Sequence, residues 1–287
     1  MFLTLKLFIL LMNIKLTSKD ILRMSYVQFI AFLKETNRCP GGKKSIRLIL
    51  QNTFANANSR ILEIGSNTGF TSLEIARITA REVIGIEPIQ EAVDESNNLL
   101  MSDTQEIQEK VRFIKASAYD IPFSKEAFDI VIAGGATSFM ENKNKAINEY
   151  YRVLKPWGFL SISNLYYLQN PPEDIVSRVS EIIATSIKPW GINEWRDLFL
   201  SQNLFELYHI ETHDLIPVNY EEIINYVEIF INKPHIQNLS TDTKETIRKR
   251  WIQTIKIFNE NIKYLGFFIA IFRKRYLSEE PELFRCT

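Results

Sequence analysis

A short apolar run that leads into a glycine-containing turn constrains the fold of this chain more than any other sequence feature. Ile61, Leu62 and Ile64 lead into Gly65, and residues 71–79 then show helical spacing. An apolar run of this length, followed directly by a helix, is typical of a buried parallel strand. The pair therefore predicts the first strand and helix of a βαβ unit.

The same alternation continues along the chain. Apolar runs at 82–86, 111–115, 128–133 and 159–163 predict four more strands, and segments 91–101 and 143–154 between them have helical spacing. Two later runs, 205–210 and 265–272, predict strands six and seven. Alternation of this kind predicts an α/β fold with a doubly wound, Rossmann-like sheet, in which ligands bind at the carboxyl ends of the strands.

Further helices are predicted outside this alternation. Ser18 is expected to cap a helix that carries Leu22, Phe29 and Leu33 on one face, and a second helix follows at about 44–53. Segments 171–187, 193–201, 221–231 and 243–262 also read as helices. The predicted domains are an N-terminal leader and helical lid at 1–56 and a core at 57–287, with helical insertions at about 165–190 and 214–263. We interpret the apolar segment 2–12 as a leader or extra helix rather than a signal peptide, with Met24 as a second candidate start.

Charge and cysteine content argue against several classes of partner. Lys+Arg and Asp+Glu both count 34, so a nucleic acid or an acidic membrane would feel no long-range attraction. Cys39 and Cys286 cannot build a disulfide framework, and the three histidines do not cluster as metal ligands. We therefore expect a cytoplasmic protein with a small-molecule partner and no metal.

The turn at residues 63–69 points to a nucleotide-like ligand without phosphates. A P-loop needs Lys after its last glycine, where this chain has Phe70, and a dinucleotide site needs a middle glycine, where it has Asn67. Glu87 ends the second predicted strand, 22 positions after Gly65 (87 − 65). A carboxylate at that place can accept both hydroxyls of a ribose.

Four blocks together carry a resemblance to a known family. They are ILEIGSNTGF (61–70), VIGIEP (83–88), ASAYDIPFSKEAFDIVIAGG (116–135) and YYRVLKPWGFLSIS (150–163). The chain resembles the class I S-adenosylmethionine-dependent methyltransferases, in particular the small-molecule group. The resemblance implies a seven-stranded sheet with a reversed last strand, S-adenosylmethionine as cofactor, and methyl transfer as the reaction.

The resemblance also implies roles for particular residues. The methionine moiety and sugar would be held by Glu63, Gly65, Ser66, Asn67 and Gly69, and the ribose by Glu87. Ser117 and Ala118 would face the adenine, although many members carry Asp where this chain has Ser117. The backbone near Ala133 and Gly134 would meet the methionine amine.

The acceptor side is less determined by the sequence. A sulfonium is already activated, so in-line methyl transfer needs alignment more than a catalytic motif, and no general base is identified. Phe139, Tyr166 and Tyr167, in segments expected to follow strands four and five, are candidate substrate-binding residues, and His209 and His213 are candidate bases. The Asn/Asp-Pro-Pro-aromatic motif of many nucleobase and protein amine methylases is absent after strand four, which favours a small acceptor with O, N or C as the methylated atom.

Two alternatives remain open at this level. One is a non-catalytic S-adenosylmethionine-binding protein or inactive partner subunit. The other is a nicotinamide-dependent oxidoreductase. The oligomeric state is not predicted.

Overall fold

The computed structural model describes residues 16–36, 39–56 and 58–275. These residues form two compact units, a helical unit (16–35, Asn170–Pro189 and Leu215–Tyr264) and a sheet unit (Thr36–Gln169, Trp190–Asp214 and 265–275). The predicted division at residue 56 and the predicted lid role of the helices stay predictions.

The sheet unit contains the seven strands that the sequence predicts. They are β1 (Arg60–Ile64), β2 (Glu82–Glu87), β3 (Val111–Lys115), β4 (Phe128–Gly134), β5 (Leu154–Tyr167), β6 (Phe205–Asp214) and β7 (Leu265–Lys274). Their order is β3-β2-β1-β4-β5-β7-β6. Pairing is parallel from β3 to β5, whereas β7 runs antiparallel to both β5 and β6. The reversed last strand is therefore confirmed.

The strand order places a ligand crevice. The chain winds outward from β1 through β2 to β3 and then returns to place β4 on the other side of β1. The order of an open sheet reverses at such a point, and the crevice at the carboxyl ends of the two central strands is the usual ligand site. The turn after β1 and the loop after β4 meet at this crevice.

Helices of the sheet unit cover a continuous apolar core. They are α3 (Gly42–Asn52), α4 (Phe70–Thr79), α5 (Gln90–Met101), α6 (Gln105–Lys110), α7 (Lys143–Val153) and α9 (Ile192–Leu200), with a short 3₁₀ turn at Ala136–Phe139. Leu62, Val131 and Leu160 come from three adjacent strands and pack in one buried cluster with Ile147 and Tyr150 of α7. A one-residue shift in register would turn these side chains to the other face of the sheet and separate them from Ile147 and Tyr150.

The helical unit has a separate core. Its elements are α1 (Ser18–Arg23), α2 (Tyr26–Phe32), α8 (Glu173–Ile183), α10 (Tyr220–Ile231), α11 (Pro234–Gln237) and α12 (Thr241–Ile262). Phe29, Val227 and Trp251 are buried together, with Phe29 and Trp251 in edge-to-face contact. The helices between β6 and β7 confirm the predicted insertion.

The prediction of one long helix from Ser18 is wrong. Thr17, not Ser18, caps α1, and the chain leaves the helix at Met24 before Ser25 caps α2. Both caps are capping boxes, in which the side chain of the third helical residue bonds back to the cap. Local hydrogen bonds of this kind compete with continuation of a helix. As a result Leu22, expected on the apolar face, is 65% exposed.

β5 and β6 extend at least four residues beyond their predicted bounds, and this changes the place of several candidate residues. Asn164 pairs with Phe268 and Tyr167 with Leu265, so Tyr166 and Tyr167 lie inside β5 rather than in a loop after it. β6 continues to Asp214 and therefore contains both His209 and His213. The predicted leader at 2–12 and Cys286 lie outside the described residues.

Candidate functional site

The turn after β1 is held against the end of β2. The backbone N–H groups of Gly65 and Ser66 both donate to the carbonyl of Ile86, at 2.8 and 3.0 Å. Gly65 has a left-handed backbone (φ 68°), and a Cβ there would lie 2.5 Å from the Cβ of Ala136. Only glycine fits this position, because other residues would meet both a backbone penalty and a collision with the loop after β4.

The rest of the turn is also fixed by backbone geometry. Asn67 is left-handed (φ 46°), and its carbonyl accepts a hydrogen bond from the Ser96 hydroxyl at 2.8 Å. Gly69 is left-handed (φ 87°), and a Cβ there would lie 2.6 Å from the ring of Phe113. Close packing of the helix start against β3 therefore requires Gly69.

Glu63 stabilises the start of the helix that follows the turn. Its buried carboxylate accepts hydrogen bonds from the backbone N–H of Ser72, at 2.9 Å, and from the Ser72 hydroxyl, at 2.5 Å. The N-cap residue, Gly69, has no side chain that could accept these hydrogen bonds. A carboxylate at a helix N-terminus also interacts favourably with the helix dipole. Burial raises the pKa of Glu63 to about 7, although the bonds from Ser72 act in the opposite direction.

Glu87 joins the end of β2 to the turn. One carboxylate oxygen accepts from the backbone N–H of Asn67 and the other from that of Ile89, each at 3.1 Å. The side chain is buried, and burial raises its pKa. Each carboxylate oxygen has more than one acceptor site, so both oxygens can accept a further hydrogen bond.

Ser117 and Ala118 lie just beyond β3, which pairs with β2 on its outer side. Ser117 forms an isolated bridge with Asp120, and its hydroxyl accepts from the backbone N–H of Tyr119 at 3.1 Å. Ala118 packs against the main core cluster. The hydroxyl of Ser117 thus accepts a hydrogen bond within its own turn and can still donate one to another partner.

The end of β4 forms the opposite wall of the crevice. Ala133 is fully buried, and its carbonyl accepts from the N–H of Gly135 at 3.1 Å. Gly134 pairs with Ser163 of β5. Gly135 is left-handed (φ 92°), and the nearest atom to a Cβ there is the Ser163 carbonyl oxygen at 4.0 Å. Space is therefore open beside Gly135.

The three candidate acceptor residues differ in exposure. Phe139 ends the 3₁₀ turn and is 56% exposed, whereas Tyr166 and Tyr167 are buried. Tyr166 contacts Phe268 edge to face, and the backbone of Tyr167 bonds to Trp190. Tyr166 and Tyr167 are consecutive residues of β5, so their side chains point to opposite faces of the sheet and do not line the same wall.

The candidate bases lie on the edge strand β6. Nε2 of His213 is 2.9 Å from Glu211, and its ring stacks on Phe267 at 4.6 Å. Nε2 of His209 is 3.8 Å from the same carboxylate. Both Nε2 atoms are buried, and neither has a hydrogen-bond partner of acceptable geometry among the described residues.

Asn164 is a polar residue near the crevice for which the sequence suggested no role. Its side chain is 3% exposed, and its Oδ1 accepts from the Ser138 hydroxyl at 2.6 Å and from the backbone N–H of Leu165 at 2.9 Å. These bonds tie the turn after β4 to β5. An amide near the end of the run 159–165, which otherwise contains only apolar residues and two serines, was the only sequence signal. Asp129, at the start of β4, accepts from the backbone N–H of Arg60 and pairs with Lys155, so its role is structural.

Comparison with known proteins decides the family. A family model described as a methyltransferase domain matches residues 62–162. An uncharacterized protein of Haemophilus influenzae is 30% identical over 173 residues, which cover 60% of this chain and 68% of that protein. The uncharacterized methyltransferase YcgJ of Bacillus subtilis is 26% identical over 183 residues, which cover 63% of this chain and 70% of that one. The chain belongs to the class I S-adenosylmethionine-dependent methyltransferases.

The fold of this methyltransferase is shared by solved structures. The crystal structure of MccD protein superimposes with a TM-score of 0.71 at 24% identity and covers 83% of this chain and 100% of that chain. Within the described ranges, no helix has the length and apolar character that crossing a membrane requires. The same ranges contain no group of three or more His, Cys, Asp or Glu side chains suited to a metal ion.

The methyltransferase uses S-adenosylmethionine as its methyl donor, and the residues at the turn fit that cofactor. Glu87 offers two carboxylate oxygens, as a pair of ribose hydroxyls requires. The Ser66 hydroxyl is buried and has no hydrogen-bond partner among the described residues, so a ligand can supply one. Residues 65–70 include no Lys or Arg, which suits a cofactor without phosphates.

Proposed function

We propose that this methyltransferase transfers the methyl group to a small-molecule acceptor by direct in-line displacement. The observation that carries the proposal is the arrangement of the turn after β1. Its backbone is fixed by Gly65, Asn67 and Gly69, and its polar atoms lie beside Glu87. The arrangement suits the binding and orientation of a nucleoside, and neither Glu63 nor Glu87 is assigned a role as acid or base in the transfer.

Glu87 is proposed to bind the ribose of the cofactor. Its two oxygens are held in place by Asn67 and Ile89, so their positions do not have to be ordered when the ligand binds. Glu63, Gly65, Ser66, Asn67 and Gly69 are proposed to hold the sugar and the methionine moiety. Glu63 acts here mainly through Ser72, because its observed hydrogen bonds fix the first turn of α4.

The adenine and the methionine amine are proposed to meet the neighbouring strand ends. Ser117 and Ala118, after β3, would face the adenine, with the Ser117 hydroxyl as a weaker acceptor than the carboxylate found in many relatives. The backbone of Ala133 and Gly134, at the end of β4, would meet the amine. Both segments follow strands on either side of β1 in the sheet.

The proposed chemistry requires little of the protein beyond alignment. When bound, S-adenosylmethionine would supply an electrophilic methyl carbon and a neutral thioether leaving group for attack by an electron pair of the acceptor O, N or C atom. The chain's own residues hold the cofactor and the turn after β4, and exclude water from the crevice. Ser138 contributes through Asn164, and Lys143 holds the same turn by donating to the carbonyls of Ser138 and Met140 at 3.1 and 2.7 Å.

The turn after β4 supports a small acceptor rather than a nucleobase or protein amine. The chain reads Gly134-Gly135-Ala136-Thr137 there, and Gly135 leads directly into the 3₁₀ turn. The net charge of zero adds no attraction for nucleic acid. Phe139, Tyr166 and Tyr167 are proposed to contribute to the acceptor side.

Methyl transfer from isotopically labelled S-adenosylmethionine tests the proposal. The protein is incubated with the labelled donor and an extract that contains metabolites, protein and nucleic acid, and the three fractions are then separated. Label is expected in the metabolite fraction, together with S-adenosylhomocysteine as product. Glu87→Ala should abolish the signal, whereas Glu82→Gln, which changes a partly exposed glutamate at the other end of β2, should retain it.

Two outcomes would contradict the proposal. Label that accumulates in protein or nucleic acid would assign a macromolecular acceptor. Inversion of the methyl group, followed with a chiral methyl label, is expected for direct transfer. Retention of the configuration of the methyl group is the second contradicting outcome, because it would show that the methyl group passes through an intermediate on the enzyme.

A further inference from the structure

The helical unit contains a cavity of about 340 Å³. Its wall comes from the junction of α1 and α2, the end of α8, and the middle of α12, and every lining residue belongs to the helical unit. The volume is at the small end of the roughly 300–1,000 Å³ that is usual for ligand pockets. The cavity can therefore hold a small organic molecule.

Arg250 contributes a positive charge to this cavity. Its guanidinium donates to the backbone carbonyls of Ile21 and Met24 and lies 4.2 Å from the ring centre of Phe29. These bonds use two of the five N–H donors of an arginine. Burial lowers the pKa of Arg250, and no carboxylate in the described part of the chain acts against that shift. The guanidinium is thus half-buried and has no counter-ion among those residues.

Another arginine of the same helix shows that the absence of a counter-ion is specific to this place. Arg248 pairs with Glu228 at 2.6 Å and with Glu245 at 2.9 Å, and these carboxylates raise its pKa. Charges removed from water are normally paired in this way. The free positive charge at Arg250 therefore favours an anion in the cavity beside it.

The other lining groups define what kind of anion fits. Tyr26 remains a neutral hydrogen-bond donor, because burial raises its pKa to about 12. Ile182 and Ile257 provide an aliphatic wall. Glu181 also borders the cavity, but its side chain is exposed and can keep its own hydration. One cation, a neutral phenol and an aliphatic wall match a ligand with one anionic end and a short hydrocarbon body.

We propose that this cavity binds a small organic carboxylate, whose anionic group pairs with Arg250 and whose hydrocarbon part contacts Ile182 and Ile257. The ligand would supply the counter-ion that the described residues lack. A charged hydrogen bond to a planar guanidinium also fixes the orientation of the carboxylate. The inference concerns the helical unit alone and does not depend on the identity of the methyl acceptor.

Calorimetric titration of the full chain with three matched probes tests this inference. Hexanoate, 1-hexanol and hexylamine have the same hydrocarbon body and differ in charge. Hexanoate should bind saturably, whereas hexanol and hexylamine should bind roughly tenfold more weakly or not at all. Arg250→Gln should weaken hexanoate binding by about tenfold or more. Lys249→Gln removes an equal charge from an exposed neighbour and should leave binding within about twofold.

Arg250 also bonds to two backbone carbonyls, so Arg250→Gln can impair folding. A second variant keeps the test decisive in that case. Gln253→Trp places a large ring at an exposed position that borders the cavity, and should abolish hexanoate binding while circular dichroism shows a folded chain. Hexanoate affinity that is unchanged in folded Gln253→Trp or Arg250→Gln would overturn the inference. Equal affinity for all three probes, or no binding of hexanoate by the unmodified chain, would also overturn it.

Discussion

The backbone N–H of Asn67 donates to the carboxylate of Glu87 at 3.1 Å, across 20 positions of sequence. This bond joins the turn after β1 to the end of β2. The left-handed backbone of Asn67 presents its N–H to that carboxylate. Glu87 therefore shapes the turn in the absence of ligand, in addition to its proposed contact with the ribose.

Replacement of Glu87 should separate its two roles. Glu87→Ala removes the carboxylate and, with it, the bonds to Asn67 and Ile89. Each charged hydrogen bond to the ligand that is lost costs about 1.5–3 kcal/mol, which corresponds to roughly 10- to 150-fold weaker binding of S-adenosylhomocysteine. Glu87→Gln keeps one acceptor oxygen and should lose less. Titration calorimetry measures both affinities. Glu82→Gln is the matched control, and an equal loss in that variant would refute a local role for Glu87.

Two glycines with left-handed backbones should respond differently to alanine. Gly65→Ala introduces both backbone strain and a contact with Ala136, whereas Gly135→Ala introduces strain into open space. Left-handed backbone costs about 1–2 kcal/mol for an L-residue, and overpacking adds about 1–3 kcal/mol. Urea denaturation should show the larger loss of unfolding free energy for Gly65→Ala. Equal losses would mean that the loop after β4 moves away without cost.

The stability of the unliganded chain should fall as pH rises through the titration range of Glu63. Burial raises the pKa of Glu63 in the folded chain to about 7, from an ordinary value of 4.5. Between these values the folded chain keeps a proton that the unfolded chain has lost, so the free energy of unfolding decreases with pH. The full effect above pH 7 is on the order of 3 kcal/mol.

Glu63→Gln isolates this contribution. The amide oxygen can still accept from Ser72, and the side chain no longer titrates. Burial also raises the pKa of Glu87, so a dependence of the same sign from Glu87 remains in both proteins. Urea denaturation from pH 5 to 8 should therefore show a shallower decline in the variant. Parallel curves for the two proteins would show that Glu63 does not titrate in this range.

Ser117→Asp should tighten cofactor binding. A carboxylate accepts a stronger hydrogen bond from the adenine amino group than a hydroxyl does, and about 1 kcal/mol corresponds to roughly fivefold in affinity. The new carboxylate can also accept from Tyr119, as the Ser117 hydroxyl does. Titration with S-adenosylhomocysteine measures the gain, and S-inosylhomocysteine, which lacks the amino group, should show none. A similar gain for both ligands would place Ser117 away from the adenine.

The strand pattern of this chain was predictable because each strand is a local signal. The runs around Val131 and Phe268 are almost entirely apolar, and the run around Leu62 is interrupted only by Glu63, as is typical of strands buried on both faces. The turn residues were predictable for a related reason, since Gly65 and Gly69 adopt backbone angles that other residues disfavour. Both features depend on a few neighbouring residues.

Features that depend on distant partners were predicted less well. Tyr166 and Tyr167 lie inside β5 because β7, about a hundred positions later, pairs with this end of the strand. The break between α1 and α2 reflects competition between two capping boxes and helix continuation. Asn164 and Ser138 are joined by one hydrogen bond across 26 positions, and neither residue forms a recognisable motif.

The sequence by itself determined the order of strands and helices, the glycine turn and the acidic residue that follows the second strand, and these identify the methyl donor. The tertiary structure decided which polar groups already have partners within the chain and which remain available to bind a ligand. Glu63 is committed to Ser72, while the Ser66 hydroxyl has no partner and Arg250 has no counter-ion among the described residues. The physical reason is that backbone preference and apolar patterning act over a few residues, whereas burial and hydrogen-bond pairing depend on groups brought together from distant parts of the chain.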